Sequence, residues 1–148
     1  MLNDQVKVSG ELRIVLRDAN GNIKTEVKVP NLVVNVGKNA ITSRLAGNAV
    51  AVMSHMAVGT AGAAPTSVNT ALGAEIASGR VALTSTVLAN NVITYAATFP
   101  GGVGSGPIVE AGVFNNSIGG VMLCRTSFSV VNKDIVDSLT ISWAIMIA

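Results

Sequence analysis

Residues 138–148 read SLTISWAIMIA, and none of them is charged. Leu139, Ile141, Trp143, Ile145 and Ile147 alternate with Thr140, Ser142, Ala144, Met146 and Ala148. A period of two belongs to a β-strand, whose successive side chains point to opposite faces. A bilayer-spanning helix needs about 20 mostly apolar residues, so the run is too short and wrongly patterned for one. The large side chains therefore face a core, with Trp143, the only tryptophan, as an anchor in it. The opposite face is small and uncharged, unlike an ordinary solvated strand face. Two readings of that face stand side by side: the domain covers it, or a second chain does.

Composition supports the β reading and points to assembly. A chain of 148 residues suits one domain, 1–148, and a chain of that length buries roughly two-thirds of its unfolded surface without staples. Charged residues make up 12%, against roughly 25% in an ordinary soluble domain. Hydrophobic residues are 49% but aromatics only 3%, so the apolar content is Val, Ala, Ile and Leu among many Gly, Ser, Thr and Asn. Such a mixture favours strands and tight turns, and so few charges disfavour an isolated monomer. The net charge of +2 comes from scattered residues, with no basic stripe to track phosphates, so no nucleic-acid partner is expected. The N-terminus lacks the pattern of a signal peptide, and the single cysteine, Cys124, makes no internal disulfide. The chain is expected to be made in a cytoplasm, with no membrane partner.

Moving outward along the chain, the clearest pattern is QVKVSGELRIVLRDANGNIKTEVKVPNLVV, residues 5–34. Val6, Val8, Leu12, Ile14 and Leu16 share one face, and Lys7, Glu11, Arg13 and Arg17 the other. Beyond Asn20-Gly21, a strong hairpin signal, Ile23, Val27 and Val29 alternate with Lys24, Glu26 and Lys28. Pro30 limits the second strand or marks an edge. Residues 1–36 thus form a more charged hairpin region. VGKNAITSRLAGN predicts one short helix, with Ile41 and Leu45 on a shared face and Gly47 as its stop. AVMSHMAVGT reads as a buried strand, and AGAAPTSVNTALGAEIASG as a connection with room for one helical turn near Leu72. RVALTSTVLANNVITYAATF is a second hairpin with Asn90-Asn91 at its tip. PGGVGSGP is a loop, and IVEAGVFN, VMLCRTSFSVV and the terminal strand follow. The fold class is all-β: a β-sandwich or jelly-roll-like domain with an N-terminal β-hairpin and one short helix.

No constellation carries chemistry. His55 is the only histidine, and no sharp nucleophile turn accompanies it, so a hydrogen-bonded strand histidine is expected rather than a triad member. One histidine and one cysteine make no zinc site. GGVGSG, Gly101–Gly106, is followed by Pro107 and a strand, whereas a phosphate loop leads into a helix. Cys124 reads as a small buried hydrophobe. No catalytic residue, cofactor or metal is expected, and the chain is read as a non-enzyme. Glu75, Arg80, Glu110 and Arg125 are lone charges in an apolar region, to be pinned in ion pairs inside the fold or across a subunit boundary, or left at strand ends in solvent. Lys7, Glu11, Arg13, Lys24, Glu26 and Lys28 make a mixed-charge surface suited to orienting a docking contact. On that reading the hairpin is an arm or rim that touches a partner; on the plainer one it is a solvated edge.

GELRIVLRDANGNIKTEVKVPNLVVNVGKNAITSRLAG, MSHMAVGTAGAAPTSVNTALGAEI, ITYAATFPGGVGSGPIVEAGVFNN, GGVMLCRTSFSVVNKD and SLTISWAIMIA together resemble small virion structural proteins of tailed bacteriophages. VGTAGAAPTSVNTALGAE is similar to a segment in which a GTG…P…TAL stretch leads into a strand, and IVEAGVFN to an EAGLFN-type segment. The resemblance covers nearly the whole chain. It implies a capsid decoration, or cement, protein on the outside of the virion, a homo-oligomer (a trimer) that bridges neighbouring subunits of the major capsid protein. Related segments also occur in tail-fibre and baseplate proteins, so a module binding a host surface receptor is the alternative, although this chain has no repetitive shaft. A hydrolase reading is poor, because the carboxylates are few and dispersed.

Overall fold

The structure, a computed structural model, describes residues 4–148. Ten strands and one helix follow in the order β1 (Val8–Arg17), β2 (Ile23–Pro30), β3 (Leu32–Val33), α1 (Asn35–Leu45), β4 (His55–Gly59), β5 (Glu75–Ala82), β6 (Ser85–Ala89), β7 (Val92–Phe99), β8 (Gly106–Phe114), β9 (Met122–Lys133) and β10 (Ser138–Ile147). They form two five-stranded sheets, β2-β1-β10-β7-β6 and β3-β9-β8-β4-β5, with every pairing antiparallel. The expected all-β sandwich with an N-terminal hairpin and one helix is what the chain adopts.

Alternating side chains of both sheets make the core. Leu12, Ile14 and Leu16 of β1 meet Leu139, Ile141 and Trp143 of β10, Phe99 of β7, and Met56, Val58, Ile108 and Val113 from the second sheet, all essentially without exposure. The terminal strand is therefore an inner strand. β1 pairs along its whole length with β10, Val8 against Ile147 through Arg17 against Ser138. Three residues depart from the periodic reading. Val6 precedes the strand and is exposed; Ile147 lies at the sheet's end and is partly exposed; Ile23 is exposed because a bulge at Leu16/Arg17 sets it opposite Arg17, on the outer face. Asp18 Oδ1 closes the first hairpin by accepting the N–H groups of Asn20 and Asn22 at 2.9 and 3.0 Å.

Helix α1 packs on β9 and ends where expected, Gly47 taking φ +83° beyond its last turn. Ile41 packs on the core, but Leu45 does not share its fate and is 84% exposed. The helix approaches β9 through Gly37 and Ala40, and its last turn overhangs. The expected helical turn near Leu72 is also absent. Residues 61–74 cross the outer face of the second sheet as an irregular strap, and Leu72 packs there with Val34, Ala57, Phe114 and Met122. Just beyond Leu72, the N–H groups of Gly73 and Ala74 go to the buried Glu110 carboxylate rather than to carbonyls one turn back, so no helical turn closes there. Residues 75–79, expected to belong to the connection, instead open β5.

Candidate interaction surfaces

The hairpin charges divide into two groups. Glu11, Arg13, Glu26 and Lys28 lie on the outer face of the first sheet, opposite the core-facing Leu12 and Ile14. Arg13 donates to Glu26 at 2.7 Å in a half-exposed pair, and Arg13 sits directly across from Lys28. Lys7 stands at the strand's start, where its backbone pairs with Ala148. Lys24 is drawn away from this group. Its Nζ donates to Asp137 at 2.7 Å and to Asp134 at 3.3 Å, tying the first hairpin to the β9–β10 turn. The hydrogen bond to Asp137 raises the Lys24 pKa, and the same bond with Lys24, joined by the Asp134 N–H, lowers that of Asp137. Lys133 lies beside them with 2% exposure and donates to the Pro100 carbonyl at 2.9 Å; burial lowers its pKa, against the pull of Asp137. The hairpin is no detachable arm: β1 is an inner strand and its apolar face is core.

The rest of that outer face is uncharged. Thr140, Ser142, Ala144 and Met146 of β10 run beside Thr94, Ala96 and Thr98 of β7, then Ser85, Val87 and Ala89 of β6. These residues are half-exposed or exposed, so the domain leaves this face open, in contrast to the strapped face of the second sheet. At one end of the sandwich an apolar groove of about 440 Å³ opens between α1, residues 50–53 and the β6–β7 tip. Leu45, Val52, Leu88 and Ile147 stand exposed on its walls. Tyr95 lies on it too, its phenol pushed up to about 12 by burial. Sequence reasoning missed the groove, because its walls come from five separate segments.

The lone charges of the second sheet are paired inside the chain. Arg125 grips Glu110 Oε2 through Nε and Nη2 at 3.0 and 2.8 Å, with both side chains almost wholly buried. The carboxylate also accepts the N–H groups of Ala74 at 2.7 Å, Gly73 at 2.9 Å and Ala61 at 3.3 Å, and Arg125 donates to Ala63 O at 3.0 Å and to Asn69 Oδ1 at 3.3 Å. Burial works to raise the Glu110 pKa, but these N–H donors and the guanidinium together hold the carboxyl below its ordinary range. The pair thus fastens the 61–74 strap. Gly59 makes room for it: a Cβ there would collide with Glu110 Oε1. Arg80 bonds Glu75 at 2.7 and 3.1 Å, donates to the carbonyls of Asn116 and Gly119, and lies 3.8 Å over the Phe114 ring.

The residues weighed for chemistry have structural partners. His55 Nδ1 lies 2.8 Å from Ser54 Oγ on β4. Cys124 is fully buried, and burial pushes its thiol well above the ordinary value, away from a reactive thiolate. In the glycine loop, Gly102 and Gly104 donate their N–H groups to Ile135 O at 2.8 Å and Ser78 O at 3.2 Å, so these amides bind the fold itself. Among the described residues, no helix is long and apolar enough to cross a membrane. Comparison with protein-family models, with curated proteins and with solved structures finds no match to this chain.

Proposed function

We propose that the protein decorates and cements the head of a tailed bacteriophage, binding the outside of the shell as an oligomer, a trimer by the resemblance above, and bridging neighbouring major capsid subunits. The observation that carries the reading is the uncovered outer face of the first sheet. One half is a mixed-charge surface of Glu11, Arg13, Glu26 and Lys28, and the other half is small and uncharged. Such a face suits docking against another protein: rim charges orient the encounter, and the small, uncharged half allows close contact without burying a charge. The action is mechanical, many weak contacts summed over a shell against the pressure of packaged DNA.

The test uses purified heads that lack the protein. The wild-type chain added back should bind in hundreds of copies, about the number of shell subunits, and raise the temperature at which heads release DNA. Arg13→Glu with Lys28→Glu should lower attachment severalfold while leaving the melting temperature of the free protein within a few degrees, as for other exposed substitutions. Labelled protein found at a few copies on the tail would replace the cement reading with the receptor-binding one.

A further inference from the structure

Natural sheets guard their edges with charges, prolines, bulges or very short strands, because an unpaired row of N–H and C=O groups invites another strand. Three of the four sheet edges here follow that rule. β2 carries Lys24, Glu26, Lys28 and Pro30; β3 has two residues; β5 carries the Glu75–Arg80 ion pair. The fourth, β6, has no guard. Its residues Ser85-Thr86-Val87-Leu88-Ala89 are all exposed, Val87 at 56% and Leu88 at 71%. No charged residue occurs between Arg80 and Glu110.

The hairpin geometry fixes which groups are free. Ala89 and Val92 flank a two-residue turn, Asn90-Asn91, with Asn90 at φ +54°. The turn bond runs between that flanking pair. Hydrogen-bonded pairs then alternate along the ladder, so Ala89, Val87 and Ser85 direct their backbone groups to β7. Those of Thr86 and Leu88 point away from the sheet.

We propose that β6 pairs antiparallel with β6 of a second copy, about a two-fold axis at Val87. The strand is complementary to itself. Val87 meets Val87 of the second copy as a non-hydrogen-bonded pair, the closer of the two kinds. Thr86 and Leu88 exchange backbone bonds with Leu88 and Thr86 of that copy, and Ser85 faces Ala89. No like charges meet in this register, because β6 carries none, whereas β2 bears Lys24, Glu26, Lys28 and the donor-less Pro30 along its edge. Val87 lies on the open outer face, so pairing makes one ten-stranded sheet with an uninterrupted uncharged middle. The inference does not rest on the capsid reading, and an edge contact of this kind can join whole oligomers as well as single chains. Five residues a side fall short of the about 1,200 Å² that stable complexes bury, so the contact fills at high protein concentration or where copies are already held close.

Cysteine crosslinking tests the register. The wild-type chain has one thiol, the buried Cys124, and serves as the uncrosslinked control. Val87→Cys, Ser85→Cys, Ala89→Cys and the Ser85→Cys/Ala89→Cys double variant are oxidised with copper phenanthroline over a range of protein concentrations and run on a non-reducing gel. Val87→Cys and the double variant should give the covalent dimer at least about tenfold faster than either Ser85→Cys or Ala89→Cys alone, since only they hold two thiols in register. Adding Leu88→Pro to Val87→Cys should remove that advantage, because the proline blocks an outward N–H and spares the β6–β7 ladder. A Val87→Cys chain that stays monomeric at every concentration, or that crosslinks no faster than Ser85→Cys, overturns the proposal. So does an advantage that survives Leu88→Pro in a chain with unchanged melting.

Discussion

Trp143 is wholly buried, and its indole N–H finds no acceptor among the described residues. Replacement by Ala should cost about 3–5 kcal/mol, as for other large buried aromatics, a large share of a domain's total of about 5–15 kcal/mol. Trp143→Phe should cost less than half as much, because it keeps most of the ring volume and removes an unsatisfied N–H whose burial costs about 1–3 kcal/mol. Denaturant midpoints of the two variants measure both. Glu110 behaves differently. Its folded pKa lies below the ordinary 4.5, so its contribution is complete above about pH 4.5 and fades as pH falls through the folded value. Glu110→Gln leaves Arg125 buried without its counter-charge, a loss of about 3–5 kcal/mol. Between pH 6 and pH 3 the variant should also lose less stability than the wild type does, in thermal melts across that range. The sequence marked both charges as in need of partners, but not that each was the other's partner, because Glu110 and Arg125 meet only through the β8–β9 register.

At the scale of elements, local chemistry was readable and long-range chemistry was not. Alternation and Asn-Gly disclosed the first hairpin, Asn90-Asn91 the second, and Gly47 the end of α1. The 61–74 strap was misread because side chains 36 to 64 positions away hold its backbone. The exposed Ile23 was misplaced because a bulge shifts the register, which alternation alone does not reveal. The charged hairpin was separable on sequence grounds, yet β1 lies between β2 and β10 with three of its side chains in the core. Removing residues 1–30 therefore strips two of the five strands of one sheet and bares Trp143 and Ile141. The truncated chain should be insoluble or lack a cooperative melt. A soluble, cooperatively folded remainder on a thermal scan would show that the hairpin is dispensable after all.

At the scale of the whole molecule, the two proposed contacts fall toward opposite margins of one sheet. In the order β2-β1-β10-β7-β6, the charged margin at β2 and β1 lies at least three strand spacings from β6, about 14 Å at 4.7–4.9 Å per spacing. Sites separated by more than about 7–10 Å without shared partners act independently. The two proposed contacts should therefore come apart under mutation. Arg13→Glu with Lys28→Glu should weaken binding to heads and reduce its dependence on salt, because exposed charges act through a screened field, while the Val87→Cys crosslink in free protein forms at an unchanged rate. Leu88→Pro, added to Val87→Cys, should do the opposite in free protein, removing the crosslinking advantage while leaving the affinity of a single copy for a sparsely filled head unchanged. On the proposed reading the two margins come together on a crowded head, where bound copies would stand close enough for β6 to pair. There Leu88→Pro should flatten the binding curve, removing the cooperativity that neighbour pairing adds to the wild-type curve. Isotherms measured from sparse to full occupancy decide it: a wild-type curve already without cooperativity, beside an intact crosslink in solution, would confine β6 pairing to the free protein.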